Sequence, residues 1–522
     1  MDIQKYASQS CLVKFRVALI LTLGFLLTPA KADRPNIVFI MTDDHGTGAL
    51  SCYGSTINHT PNLDRIAQGG MKLTNCFVTT SLCAPSRASM LTGTYPHINR
   101  QVDIGGNFFD GTQPTFPNLM QAEGYQTAVI GKWHLHSIPV GFDHYSVLDG
   151  QGTYFDPKFI YKSDIGPVWK QGQGYSTDLI TDQSIEWLDN RDPDTPFVLL
   201  CHYKSPHYNW EPAERFLDQY QEDLPVPDTY NNRYEGRAND RFIKDIEDAH
   251  EFFRIDRWVK EMPSGLTESE QKDWNYQRFM KDYLRCIAAV DENVGRILDY
   301  LDEQGLADNT IVVYTSDNGM LQGEHGQIDK QLMQEESIRI PFMVRYPAEI
   351  PAGTQTDSFV LNIDFAPTFL DYAGMSAPEV MQGVSARDVF QAKTPEGWRE
   401  AFYYHFFANY DRNLSLWGIR TDGWKLINYY SSDGEPTQQL FNLKNDSSEV
   451  HDLIHHAEHE EMKNQLAQMI YEHRRKYGLT DELLDMIYVK PGKLISIPRM
   501  QKQIRKMKKE IDANTIRFNE RF

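Results

Sequence analysis

Four short clusters in this chain hold residue types able to do chemistry, and each follows an apolar run. Asp43 and Asp44 follow Asn36 to Met41, and Lys132, Trp133 and His134 follow Thr127 to Ile130. Lys204 and His207 come soon after Phe197 to Leu200, and Asp317 and Asn318 soon after Thr310 to Tyr314. Adjacent carboxylates repel unless a cation lies between them. Asp43, Asp44, Asp317 and Asn318 together make an all-oxygen donor set, which selects a hard ion, Ca²⁺ or Mg²⁺, over Zn²⁺. An Asp-Asp pair alone suits a helix cap or a solvated turn, so the metal reading rests on the combination. A fifth cluster is Cys83-Ala84-Pro85-Ser86-Arg87 with Leu91-Thr92-Gly93 behind it. Pro85 fits an early helical position, which puts Cys83 at a helix N-terminus, a ready anion site.

The elements that must position these residues are legible. Apolar runs bounded by polar clusters read as strands buried on both faces, and they alternate with amphipathic helical stretches. The expected fold is α/β: a large mixed, mostly parallel sheet sandwiched by helices, with a smaller C-terminal α+β subdomain on a short antiparallel sheet. Ligands of open α/β sheets bind beyond the carboxyl ends of the strands, so the four strand ends would build one shared site. Residues 223–275 read as an insertion or cap, and Tyr283 to Gln304 as a helix with apolar residues at helical spacing. Beyond about residue 395, Trp417 to Ile427 and Gln439 to Leu443 read as short antiparallel strands, followed by a helix to about Tyr477. The expected division is a catalytic domain over 33–395 and a C-terminal subdomain over 396–522. The latter ends in a basic helical tail with Lys502, Arg505, Lys506, Lys508 and Lys509, whose charges suit a solvated face or a sulfated polymer.

Composition narrows the function classes. The 522 residues are 41% hydrophobic and 24% charged, which excludes a disordered or fibrous chain. The net charge of -20 argues against a nucleic-acid partner. Six cysteines in this length form no disulfide framework; Cys52, Cys76, Cys201 and Cys286 read as core residues, although an exported protein would permit a disulfide among them. Residues 1–32 read as a signal peptide: Lys5, Lys14 and Arg16 precede an apolar run from Val17 to Leu27, then Ala30-Lys31-Ala32. Cleavage after Ala32 would send the protein to the periplasm or the medium, with no membrane attachment afterwards.

The Cys83 cluster resembles the signature of the formylglycine-dependent sulfatases of the alkaline phosphatase superfamily, Cys-x-Pro-x-Arg with a downstream Leu-Thr-Gly. The resemblance runs from Pro35 to about Leu453 and includes Gly131-Lys-Trp-His134, Ser205-Pro-His207, Ser316-Asp-Asn-Gly319, Gly323-Glu-His-Gly326 and Lys330 in family order. It implies that a separate formylglycine-generating enzyme oxidises Cys83 to formylglycine. One oxygen of the hydrated aldehyde would attack sulfur and the other would expel sulfate. It also implies one Ca²⁺ held by Asp43, Asp44, Asp317 and Asn318 and touching the group made from Cys83. Arg87 would orient the nucleophile, and Lys132 and Lys330 would hold sulfate oxygens. His134 would assist breakdown of the sulfated intermediate, and His207 would protonate the departing sugar oxygen. His325 is expected as a substrate contact, Lys204 as a sulfate contact or loop support, and His202 as structural.

Within that family the likeness is strongest to bacterial carbohydrate sulfatases of the N-acetylglucosamine-6-sulfatase kind, through Pro139 to Asp143, Gly150-Gln-Gly152 and Pro206 to Trp210. Sulfatases of ulvan, carrageenan and agar share much of the framework, so both sugar classes stand as expectations. Trp210 is expected to stack on a sugar face or to pack in the core, and His405 to lie at the surface or reach the pocket rim. A phosphatase or phosphonate monoester hydrolase of the same superfamily is the alternative activity. A non-catalytic glycan-binding relative would have no use for Cys83 or the metal residues.

Overall fold

The computed structural model describes residues 34–494 apart from 105–107, 233–245, 247–248, 250–254, 408–414, 431–435 and 491–492. The expected signal peptide and the basic tail lie outside the described residues. Ten strands form the main sheet: β1 (Asn36–Thr42), β2 (Met71–Leu73), β3 (Gln126–Gly131), β4 (His144–Leu148), β5 (Lys158–Tyr161), β6 (Val168–Gln171), β7 (Phe197–His202), β8 (Thr310–Ser316), β9 (Phe342–Arg345) and β10 (Thr354–Thr356). Their spatial order is β10-β2-β9-β8-β1-β7-β3-β4-β5-β6. The four runs read from the sequence are neighbours at the centre, β8-β1-β7-β3, and all pair in parallel. The outer strands β9, β5 and β6 run antiparallel to their inner neighbours, giving the mixed sheet expected.

Side-chain alternation divides the core in two. Val38 and Ile40 of β1 join Leu63 and Ile66 of α1 (Pro61–Gln68), Ile180 of α3 (Ser176–Asn190) and Val290 and Val294 of α4 (Glu268–Glu303). Ile37, Phe39 and Met41 face the other way, toward Ala84 and Ala88 of α2 (Cys83–Thr92) and Phe365 and Phe369 of α5 (Phe365–Tyr372). That second core continues without a break into a four-stranded antiparallel sheet, β11 (Ala401–Phe406), β12 (Leu416–Thr421), β13 (Trp424–Tyr429) and β14 (Thr437–Asn442), backed by α6 (Glu460–Lys476). No helix among the described residues is long and apolar enough to cross a membrane.

The sequence reading of α4 started the helix fifteen residues late. The helix begins at Glu268 behind a capping box in which Thr267 and Glu270 satisfy each other's backbone N–H groups. Its N-terminal half faces a third cluster containing Trp210, Tyr230, Trp258 and Phe279, to which the described part of the 223–275 stretch contributes.

Candidate active site

Register fixes where the polar clusters emerge. Met41 pairs with Thr315 and with His202, and His202 pairs with Gly131, so the central strands end at one level. Asp43, Lys132 and Asp317 then follow at one edge. Gly131 is required for the exit of β3: its φ is 101°, and a Cβ there would lie 1.9 Å from the His202 carbonyl oxygen. That close approach lets the Lys132 N–H donate to the same carbonyl at 2.7 Å.

Asp44 occupies the left-handed region with φ 65°, a conformation that other groups must hold. Its N–H donates to Asp317 Oδ1 at 3.3 Å, and its carbonyl accepts the Tyr283 hydroxyl at 2.8 Å. The Tyr283 oxygen in turn accepts the Gly46 N–H at 2.9 Å. Tyr283 lies on the buried side of α4 and entered the sequence reading only as the first residue of the helical stretch. Nothing in the one-dimensional pattern marks its hydroxyl as a clamp on the Asp44 turn.

The charged groups converge. One oxygen each from Asp43, Asp44 and Asp317 lie within 4.8 Å of one another, as do ligand atoms of Asp43, Cys83 and His207. Arg87 Nε donates to Asp317 Oδ2 at 2.9 Å, its Nη2 lies 3.7 Å from Asp43 Oδ2, and its Nη1 donates to the Lys132 carbonyl at 2.6 Å. Lys132 forms an ion pair with Asp43, and Lys330 with Asp44. Asn318 Nδ2 donates to Asp44 Oδ1 at 2.6 Å. All these side chains are buried. Burial alone would lower the Lys330 ammonium pKa, but Asp44, Cys83 and Asp317 together outweigh it and hold Lys330 above its usual range.

The donor set fits a hard divalent ion. Asp43 Oδ1 and Asn318 Oδ1 are buried without a hydrogen-bond partner, and buried acceptors of that kind ordinarily find one. Three carboxylates and an amide oxygen are the donors Ca²⁺ or Mg²⁺ takes.

Cys83 is the first residue of α2, as Pro85 indicated, and is 2% exposed. Burial pushes its thiol up to about 12, so the unmodified side chain is a poor nucleophile. His207 donates from Nδ1 to the Tyr208 carbonyl at 2.6 Å, which turns Nε2 toward Asp44 Oδ2 at 3.7 Å. Its backbone carbonyl accepts the Tyr154 hydroxyl at 2.6 Å. Burial and then the charge of Lys132 keep the His134 imidazole well below its ordinary pKa, and the same two causes act on His207. Lys204 donates to the Tyr208 carbonyl at 3.0 Å; burial brings it down to about 8 against the pull of Asp44. His325 is buried in the turn five residues before Lys330, with its N–H on Thr229 Oγ1 at 3.2 Å.

Two expectations are corrected. Trp210 is 0% exposed; its ring stacks on Trp258 with centroids 5.4 Å apart and meets Phe279 at 4.6 Å, so neither face is open to a sugar. The indole sits among aromatic residues because α4 extends far enough to supply Phe279. His405 is neither at the surface nor at a rim. It lies in β11, 3% exposed, stacked on Phe407 at 3.9 Å and joined to the Tyr403 hydroxyl at 2.7 Å.

The site can be set beside known proteins. The sulfatase family profile matches residues 35–375, and a profile for the C-terminal part of N-sulphoglucosamine sulphohydrolase matches 323–476. An N-acetylglucosamine-6-O-sulfatase of Bacteroides thetaiotaomicron is 40% identical over 516 residues, spanning 88% of this chain and 90% of that protein. An ulvan-active sulfatase of Formosa agariphila is 27% identical over 451 residues, spanning 83% of this chain and 80% of its own. A solved structure of a protein in complex with its substrate D-glucosamine-2-N,6-O-disulfate matches with a TM-score of 0.80 at 40% identity, covering 86% of this chain and 99% of that one. The matched span holds every strand end that converges on Cys83, and the chain belongs to the sulfatase family as a sulfuric ester hydrolase.

Proposed function

We propose that this protein is an exported carbohydrate sulfatase that removes 6-O-sulfate from glucosamine-type sugars, N-acetylated or N-sulfated, and that it works with one Ca²⁺ and with Cys83 converted to formylglycine. The observation that carries the reading is the meeting of Cys83, His207 and the Asp43–Asp44–Asp317 group around the shared Asp43. The sugar follows from the 40% identical relative and from the substrate of the matching complex. The ulvan-active relative stands at 27%, and the algal sugars are set aside. Export rests on the segment before Arg34.

Asp43, Asp44, Asp317 and Asn318 would hold the ion, which with formylglycine at position 83 supplies an activated oxygen nucleophile. Lys132 and Lys330 are the point charges for sulfate oxygens, and Arg87 fixes the approach to residue 83 through its fork to Asp317 and the Lys132 carbonyl. His207 holds its proton at Nε2 for the departing sugar oxygen, with Nδ1 tied to Tyr208. A bound sulfate ester beside that ring favours its charged form and offsets the lowering by burial and by the lysines. His134 serves breakdown of the sulfated intermediate, and His325 contacts the sugar.

The test is sulfate release from N-acetylglucosamine-6-sulfate, glucosamine-2-N,6-O-disulfate, galactose sulfates and ulvan and carrageenan oligosaccharides. Conversion of Cys83 is verified by peptide mass, and Cys83→Ala is the blank. Release from the glucosamine sulfates alone is expected. Release only from an algal oligosaccharide would refute the sugar assignment, and turnover of phosphate or phosphonate esters without sulfate release would refute the reaction.

A further inference from the structure

The segment that carries Lys330 is gripped from behind by the C-terminal sheet. Lys330 stands between two non-glycine residues in the left-handed region, Asp329 with φ 94° and Gln331 with φ 88°. Backbone of that kind persists where surrounding structure over-determines it. Three successive strands supply the hold. Tyr404 of β11 donates its phenolic proton to the Gln331 carbonyl at 3.1 Å. Lys425 of β13 donates to the Met333 carbonyl at 2.7 Å and pairs with Glu335 at 2.8 Å. Arg420 of β12 pairs with the same Glu335 at 3.2 Å.

Tyr404 also reaches the other side of the site. Its oxygen accepts the Ser81 N–H at 3.1 Å, and Ser81 lies two residues ahead of Cys83. One fully buried hydroxyl therefore joins the chain just before the nucleophile position to the chain just after the sulfate-holding lysine. We propose that Tyr404 is a positioning residue of this sulfatase, its hydroxyl setting the separation between Cys83 and Lys330. The inference rests on the roles proposed above for those two residues. Without the hydroxyl, the Ser81 N–H and the Gln331 carbonyl lose a shared partner in a dry region, and the tie that remains runs from Ser81 Oγ to the Ser337 carbonyl, six residues further along the chain. Lys132 still holds the sulfate, so binding suffers less than the alignment of nucleophile and sulfur.

Hydrogen exchange and kinetics on Tyr404→Phe test this, with Tyr429→Phe as the companion. The Tyr429 hydroxyl donates to Gln439 Oε1 at 2.8 Å within the same sheet. Tyr404→Phe is expected to speed amide exchange about tenfold in peptides spanning 79–83 and 331–335. It is expected to lower kcat about 10- to 100-fold, with KM within about threefold, once rates are corrected for formylglycine content. Tyr429→Phe is expected to leave both peptides and kcat as in the parent. Unchanged exchange in either peptide overturns the bridge, and a parental kcat in folded Tyr404→Phe overturns the positioning role. A fully converted parent that releases no sulfate from any sugar overturns the proposed function and the positioning role with it, while exchange still decides the bridge.

Discussion

Arg87 and Asp317 face each other at 2.9 Å, Nε to Oδ2, while the other arm of the same guanidinium holds the Lys132 carbonyl at 2.6 Å. One side chain on α2 thus ties the end of β8 to the end of β3 across the two strands between them. A lysine keeps the charge but has no planar fork to make both bonds. Arg87→Lys is expected to cut sulfate release by roughly 100-fold or more and stability by roughly 1.5–3 kcal/mol. Rates corrected for formylglycine content and urea unfolding measure the two effects; parental values in both would show that the fork has no role.

Ion binding has a readout independent of turnover. A ligand that binds only the folded chain stabilises it by about 2.7 kcal/mol at a hundred times its Kd. Added Ca²⁺ is expected to raise the Tm of the chelator-treated protein, and Asp317→Asn is expected to remove most of that rise. An equal rise in parent and variant would place the ion elsewhere.

Trp210 is expected to matter to stability rather than to sugar affinity. Its indole packs against Trp258 and Phe279 in a closed cluster. Trp210→Phe is expected to cost roughly 1–3 kcal/mol in unfolding free energy, with KM within about threefold. A large rise in KM at parental stability would restore the stacking role.

Acid sensitivity has a traceable source away from the site. His97 lies in the short helix Pro96–Asn99; burial holds its imidazole down at about 4, and Nε2 donates to the Tyr477 carbonyl at 2.8 Å. A folded-state value below the unfolded one of about 6.5 means that the neutral ring's contribution is whole above pH 6.5 and is lost as pH falls toward 4. The loss between pH 7.5 and 4.5 is roughly 2–3 kcal/mol from this group. His97→Gln is expected to lose that much less over the same interval in urea unfolding. Equal losses in parent and variant would exclude His97 as the source.

The central strands were readable because burial on both faces leaves uninterrupted apolar runs, and the polar residues directly after them are the site. Asp43, Asp44, Lys132, His207 and Asp317 follow from that rule; Cys83 came from the resemblance its segment carries, and Pro85 placed it at a helix start. The N-terminal half of α4 was missed although Thr267 and Glu270 carry a capping signature, because aromatic and charged residues dilute the apolar stripe there. Tyr283, Tyr404 and Lys425 had no such signal. Each acts through one polar atom at the end of an otherwise apolar or aliphatic side chain, on backbone groups far away in sequence. Trp210 misled for a related reason: an indole three residues past His207 looks available until the helix that covers it is placed.

The unbroken core beneath α2 and α5 bears on what can be cut from this chain. Phe402 of β11 stacks on Phe77 at 4.8 Å and meets Phe359 at 6.1 Å, and both partners precede residue 395. Chain ending at that point would leave Phe77 and Phe359 uncovered and the Lys330 segment without its grip. The change of style near residue 395 marks a seam in composition and gives no place to separate the molecule. A working fragment has to carry both sheets, and a graft of one onto a foreign partner has to match an aromatic surface as well as a loop.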